Sequence, residues 1–196
     1  MAKLELFYPV RPWNVFQAFG GCHPSVCHIY RDQLGMDGHN GIDVQAYRGQ
    51  EVRAAHDGTV TFAGEDGSAG YGVVIRTDKL YEYKNGLSYF KSIFWHLKSD
   101  GIMVRAGQKV KIGDVIGLAN STGMSTGDHL HFGLKPIYQG EADWQWANQE
   151  QDNGYKGAID PAPYLRGVYA DTIQSIISKI ALLTTLIQRY VESLRT

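Results

Sequence analysis

This 196-residue sequence predicts a mostly β domain followed by one amphipathic α-helix. Two observations predict the β domain. Its body breaks into short apolar runs separated by turn residues, and the chain is rich in glycine and aromatics, which suits short strands with tight turns. A third observation predicts the helix. From residue 171 onward the apolar residues recur every seven positions. The length suits one domain and a small appendage, which we place at 1–167 and 168–196.

Taken in order, residues 4–19 hold strand-like pieces broken by Pro9 and Pro12. Residues 20–38 read as a loop carrying Cys22 and Cys27, each followed by a histidine. A disulfide, two free thiols and a second metal site all fit that spacing. The loop is expected to form one wall of a groove. Residues 44–62 read as two short strands turning at Asp57-Gly58, with His56 exposed. A glycine-rich turn at 65–72 precedes a buried strand at 73–77. Residues 78–88, with Asn85-Gly86, read as a hairpin connection into a strand at 89–97. Two short strands follow at 104–110 and 115–119. The phrase Gly-Gln-x-Val occurs at Gly49 and again at Gly107, a weak hint of duplication. Residues 138–158 read as a polar surface loop whose Trp144 and Trp146 pack on the loop itself or form a binding platform.

In the tail, Asp171 and Gln174 form a capping box. Ile173, Ile180, Ile187 and Leu194 repeat every seven residues, with Ile176, Leu183 and Tyr190 three further on. Self-association and docking on the chain's own domain both fit this stripe.

Net charge is −1, so the basic footprint of a nucleic-acid binder is missing. No apolar run approaches a membrane span, and the N-terminus lacks the apolar core of a signal peptide.

The chemistry-bearing residues fall in three places. His129 and His131 flank Leu130, and on a strand both imidazoles share one face. His39 and Asp43 are four apart, which in an extended chain also shares a face. His39, Asp43 and one histidine of the later pair offer three ligands with a fourth position open, the pattern of a catalytic zinc site. Taken alone, His96 in its hydrophobic run reads as a satisfied, half-buried histidine.

These pieces, in this order, resemble the lysostaphin-type zinc metalloendopeptidases, hydrolases that cut peptidoglycan cross-links. His39 and Asp43 match the family's His-x-x-x-Asp motif, and His129 and His131 its His-x-His motif. His96 matches the histidine between them. The flanks at 50–60, 70–75, 107–123 and 160–165 agree as well. Two positions depart from the pattern. Asp128 stands where proline is expected and adds negative charge beside His129, and Gly133 stands where an acidic residue is frequent.

The resemblance implies an antiparallel β-sheet domain with a metal-binding groove. It implies one Zn2+ per chain on His39, Asp43 and His131, with His96 and His129 as catalytic histidines, one a general base and both supporting the oxyanion. The substrate it implies is the stem peptide or cross-bridge of bacterial peptidoglycan, cut at a glycine bridge or at a D-Ala to diamino-acid link. A metalloprotease of the cell wall without a signal peptide fits an endolysin released by a holin, a virion component or a trimmed chain. The rival reading is an inactive module that binds the wall or activates another hydrolase.

Overall fold

The computed structural model describes residues 2–22, 24, 27–139, 147–166, 180, 181, 183, 184, 187, 188 and 190. The chain divides into two units, Met1–Arg166 and Gly167–Thr196.

The first unit is built on antiparallel strands. They are β1 (Val15–Gln17), β2 (Ile42–Gln45), β3 (Glu51–Arg53), β4 (Gly58–Asp66) and β5 (Gly70–Thr77), followed by β6 (Tyr81–Tyr83), β7 (Gly86–Leu97), β8 (Lys109–Val110), β9 (Val115–Leu118) and β10 (His129–Ile137). The main sheet runs in the order β1-β2-β10-β7-β5-β4-β8, with β6 paired to β7 at one end. Strands β3 and β9 form a separate ribbon. The expected mostly antiparallel β class is what the chain adopts.

Strand alternation sorts the two faces of this sheet. On β10, Leu130, Phe132 and Leu134 are fully buried. Across the ladder, Phe132 stands opposite Phe94 with ring centroids 5.3 Å apart. Phe90, Ile75 and Val73 extend this core, and Trp13 closes on the edge of Phe132. Each such side chain contributes about 1.5–3 kcal/mol on burial. The opposite face of the same strands carries His129, His131, Gly133 and Lys135 on β10, with Lys91, Ile93 and Trp95 on β7.

Residues 44–62 differ from the two-strand expectation. They contribute to three strands, and Gly58 opens β4 rather than turning a hairpin. His56 is buried, not exposed: it accepts or donates at Nε2 with Ser92 Oγ at 2.8 Å, and Nδ1 donates to the Asp57 carbonyl at 2.9 Å. Ser92 on β7 and the Asp57 carbonyl satisfy the ring on the core side of the sheet, which residue spacing alone does not reveal.

The repeated Gly-Gln phrase proves to be one turn used twice. Gly49 and Gly107 both have φ near +80°. In each, the following glutamine folds back so that its side-chain oxygen accepts from a backbone N–H, that of Tyr47 or Arg105. A turn needing positive φ at its third position favours glycine.

Cys22 and Cys27 form a disulfide, which settles the alternatives in favour of a tied loop. After it comes one short turn of π-helix, Ile29–Gln33. At the other end of the unit, Leu6 bridges Leu165, and a 3₁₀ turn, Ala162–Tyr164, precedes it.

The C-terminal helix expected over 168–196 is not borne out as an element. Most of that span, with Asp171 and Gln174 of the expected capping box, lies outside the described residues. Among the described residues the last bounded helical element is the Ala162–Tyr164 turn. The described tail residues have helical backbone, and Thr184 Oγ1 donates to the Ile180 carbonyl at 2.9 Å. Ile180, Leu183, Ile187 and Tyr190 are all exposed. A short helix draws most of its stability from burying its apolar face, and here these side chains are not covered. Trp144 and Trp146 also lie outside the described residues. Among the described residues no helix is long and apolar enough to cross a membrane.

Candidate metal and catalytic centre

The site begins with strand pairing. His131 on β10 stands directly opposite Asp43 on β2, and Leu130 opposite Val44. The sheet therefore sets His131 and Asp43 side by side on the groove face. His39 arrives differently from the expectation. It lies before β2, in irregular chain, so the extended spacing argument does not apply to it. A bend through Asn40-Gly41 brings it back over Asp43. Gly41 makes this possible, since a Cβ there would lie 2.7 Å from the His131 ring.

Three atoms converge as a result. His39 Nε2 lies 2.8 Å from His131 Nδ1, and each of these nitrogens lies 3.1 Å from Asp43 Oδ1. All three residues are buried. His39 Nδ1 donates to the Ala18 carbonyl at 3.3 Å, which turns the Nε2 lone pair toward the other two. Tetrahedral zinc with ligand distances of about 2.0–2.2 Å needs donor atoms roughly 3.3–3.5 Å apart. The set is slightly tighter than that, and its chemistry, two imidazole nitrogens and one carboxylate oxygen, fits the ion.

Electrostatics agree with this. Burial pushes the Asp43 carboxyl up, but hydrogen bonds and charge from His131 and His39 outweigh it and hold the group well below the usual carboxylate range. Burial lowers the His131 pKa, with Asp43 opposing. Both shifts run in the direction a metal ligand needs, toward an ionised carboxylate and a neutral imidazole.

His96 and His129 stand beside this group. Their ring centroids are 4.5 Å apart, and His129 Nε2 lies 3.6 Å from Asp43 Oδ1. A β-bulge places His96. By alternation from Trp95 it would face the core. Between Tyr71–Val73 on β5 and Phe94–Leu97 on β7 the register shifts by one residue, and His96 adopts φ +65°. Bulges re-aim a side chain in this way, and positive φ at a non-glycine residue is strained. His96 Nδ1 then donates to the Thr122 carbonyl at 2.7 Å. Thr122 is itself clamped, its hydroxyl donating to the Leu97 carbonyl at 2.7 Å.

His129 Nδ1 donates to the Gly127 carbonyl at 2.8 Å, with Ser125 Oγ 3.3 Å away. In both rings the carbonyl fixes the proton on Nδ1 and leaves Nε2 as the acceptor. Burial, and then the neighbouring His129 and His131, lower the His96 pKa to about 4.

Sequence reasoning missed two neighbours. Tyr30, in the π-helical turn that follows the disulfide, packs its ring 5.8 Å from that of His39 and accepts from Gln17 Nε2. This is where the expected loop wall meets the site. Phe16 on the edge strand β1 packs its ring edge against His129. No motif marks either residue. Asp128, the residue before His129, turns its carboxylate to Arg48, 3.2 Å away.

Comparison with known proteins accords with this architecture. The chain is 40% identical over 94 residues to the DD-carboxypeptidase/endopeptidase Mpg of Neisseria meningitidis serogroup B, which is 48% of this chain and 19% of that protein. It is 29% identical over 139 residues to the glycyl-glycine endopeptidase ALE-1 of Staphylococcus capitis, 68% of this chain and 31% of that one. The matched stretch thus spans a fifth to a third of these curated relatives. The catalytic domain of the antimicrobial peptidase lysostaphin from Staphylococcus simulans superposes with a TM-score of 0.54 at 23% identity, covering 78% of this chain and 91% of that domain. Residues 37–143, which hold all five histidine and aspartate positions of the centre, match peptidase family M23, and the chain belongs to that family.

Proposed function

We propose that this chain is a zinc-dependent endopeptidase that hydrolyses peptide cross-links of bacterial peptidoglycan. The observation that carries the reading is the convergence of His39 Nε2, His131 Nδ1 and Asp43 Oδ1 within 3.1 Å, with two further histidines presenting Nε2 beside them. His39, Asp43 and His131 hold one zinc. When bound, the ion supplies an acidified water and polarises the scissile carbonyl.

The protein's own groups do the rest. His129 is the better placed base: its Nδ1 proton is committed to Gly127, as that of His96 is to Thr122, but its Nε2 lies 3.6 Å from Asp43 Oδ1, which supports the ring once Nε2 has taken the proton of the attacking water. The imidazolium so formed, beside the Asp43 carboxylate, then gives that proton to the leaving amine. His96 is held neutral with Nε2 unprotonated, so it orients water as an acceptor. This refines the expectation that both histidines support the oxyanion. A ring whose proton sits on Nδ1 donates from Nε2 only after taking up a second proton.

The intact five-residue set supports an enzyme over an inactive binding or activating module. The place of action we propose is the cell wall, reached by holin-type release as an endolysin, by carriage in a virion or from a longer chain. Purified peptidoglycans with glycine bridges and with direct diamino-acid links should be digested with and without a chelator, and the fragments weighed. New amine and carboxyl ends that vanish on chelation are expected. Intact peptidoglycan of every cross-link type would overturn the reading.

A further inference from the structure

The groove face of the sheet carries charge that the centre does not use. Beyond His131, β10 runs through Gly133 to Lys135 on the same face. Lys135 stands directly opposite Lys91 on β7, and Lys91 directly opposite Arg76 on β5. Three cations therefore form one row across three neighbouring strands. Arg76 has a carboxylate partner in Asp78, 3.6 Å away. Lys135 Nζ donates to the backbone carbonyl of Lys156 at 2.7 Å, which adds a fourth cationic residue to the cluster.

Lys91 and Lys135 line one pocket together with Phe62, Ile93 and Trp95. Asp66 is the one carboxylate among the described lining residues, and it is exposed at the far end of β4. Trp95 forms a wall of the pocket, its ring lying over Gly72, where a Cβ would come within 2 Å of it, and edge-on to Phe62. Between His131 and Lys135 on this face of β10 stands only Gly133, which has no side chain. A Cβ at Gly133 would make only ordinary contacts, so packing does not force the glycine.

This row is costly to stability. Like charges directly opposite in a sheet repel, and a half-buried ammonium without a counter-charge is poorly solvated. Burial lowers the Lys91 pKa. Burial, then the charges of Lys91 and Lys156, lower that of Lys135 to about 8. An anion seated between the two ammonium groups relieves both terms and gains charge-assisted hydrogen bonds.

Lys135 lies four residues from His131, about 13–14 Å along an extended strand at roughly 3.4 Å per residue. A peptide bound with its reacting bond at the centre reaches the row two to four residues away, given the length of a lysine side chain.

We propose that Lys91 and Lys135 form an anion subsite of the groove, which recognises a free carboxylate two to four residues from the bond that is cut. This rests on the endopeptidase reading and narrows it: the preferred substrate is an acidic peptide, not a run of uncharged glycines.

The test separates binding from cutting. A series of octapeptides carries one glutamate walked from one to four residues on either side of the central bond, each matched by a glutamine peptide. One set has a ketomethylene in place of the central amide, so that it cannot be cut. With the zinc-loaded full chain, the glutamate member should bind about tenfold more tightly than its glutamine match at one or two neighbouring positions on one side. Lys91→Met with Lys135→Met should abolish that gap and leave the affinity for glutamine peptides unchanged. Lys91→Arg with Lys135→Arg, which keeps the charge, should retain it. Equal binding at every position, or a gap that survives the double methionine variant, overturns the subsite. The cuttable set decides the other reading. Cutting without a glutamate preference leaves the endopeptidase standing and removes the subsite; a glutamate-selective binder that cuts neither peptides nor peptidoglycan does the reverse.

Discussion

His131 and Asp43 face each other directly across β10 and β2, with Nδ1 of the one 3.1 Å from Oδ1 of the other. Two of the three donor atoms are thus set by a hydrogen-bonded ladder rather than by a loop. Such a pair moves only if the sheet moves, which is how a rigid scaffold holds a ligand set in place. The third, His39, is locked from behind by the Ala18 carbonyl.

His39→Ala, Asp43→Ala and His131→Ala each remove one converging donor. Zinc content and peptidoglycan hydrolysis should fall together in all three, measured by elemental analysis and by fragment release. Full zinc in His131→Ala would show that the ligand set is assigned wrongly.

His96→Ala and His129→Ala should keep one zinc per chain and lose turnover by about 10²–10⁴-fold, the usual contribution of a positioned acid–base group. The loss should sit in kcat. The reverse pattern, with metal lost in His129→Ala and kept in His131→Ala, would exchange the roles of the two histidines on β10.

Gly41→Ala tests the bend that returns His39 to the site. The added methyl would press on the His131 ring, 2.7 Å away. The domain should remain folded, because the core face of the sheet is untouched, while zinc affinity drops roughly 10–100-fold, as it does when ligand orientation is disturbed. Metal titration at matched circular dichroism decides. Unchanged affinity would mean that the bend relaxes freely.

Acid should destabilise the metal-free chain through its buried neutral histidines. Burial lowers the His56 pKa, and the ordinary value of 6.5 is recovered only on unfolding. Above about pH 6.5 neither state is protonated there, so the group contributes no pH dependence. Below it the unfolded chain takes up a proton that the native ring refuses, and stability falls by up to about 1.4 kcal/mol per pH unit for that group. The fall continues until the lowered native pKa is reached. His96, held to about 4, acts in the same direction. Urea unfolding from pH 8 to pH 5 should show the decline, with a shallower slope in His56→Gln. A flat profile would contradict the buried, neutral assignment.

We also propose that the tail is an appendage that associates with a second copy of itself. The described residues Ile180, Leu183, Ile187 and Tyr190 follow the heptad spacing and are 57–64% exposed. Removing residues 168–196 should leave a folded, zinc-binding first unit and convert an oligomer to a monomer by light scattering. If both chains are monomers, self-association is wrong. An unfolded, zinc-free truncated chain would make the tail part of the core.

The site was more legible in the sequence than the fold around it. A His-x-His on a strand and an Asp that pairs with it rest on the two-residue period of β-structure, a local property that spacing reports directly. Leu130, Phe132 and Leu134 fall on the core face for the same reason. What spacing could not report was any feature that breaks the period. His39 reaches Asp43 through a bend, and His96 reaches the groove through a bulge at φ +65°. The alternation rule assigns His96 to the core, and only the shifted register between β5 and β7 turns it around. His56 shows the same limit from the other side. Its burial depends on Ser92, 36 residues away, supplying a partner for its ring. The row of Lys135, Lys91 and Arg76 is likewise invisible in one dimension, since it exists only where three strands align. The sequence by itself determined the chemistry of the donors and the face on which each strand presents them, because both follow from residue type and local period. Tertiary structure alone decided which of those faces meet, because pairing register, bulges and bends are set by the burial of residues far apart in the chain.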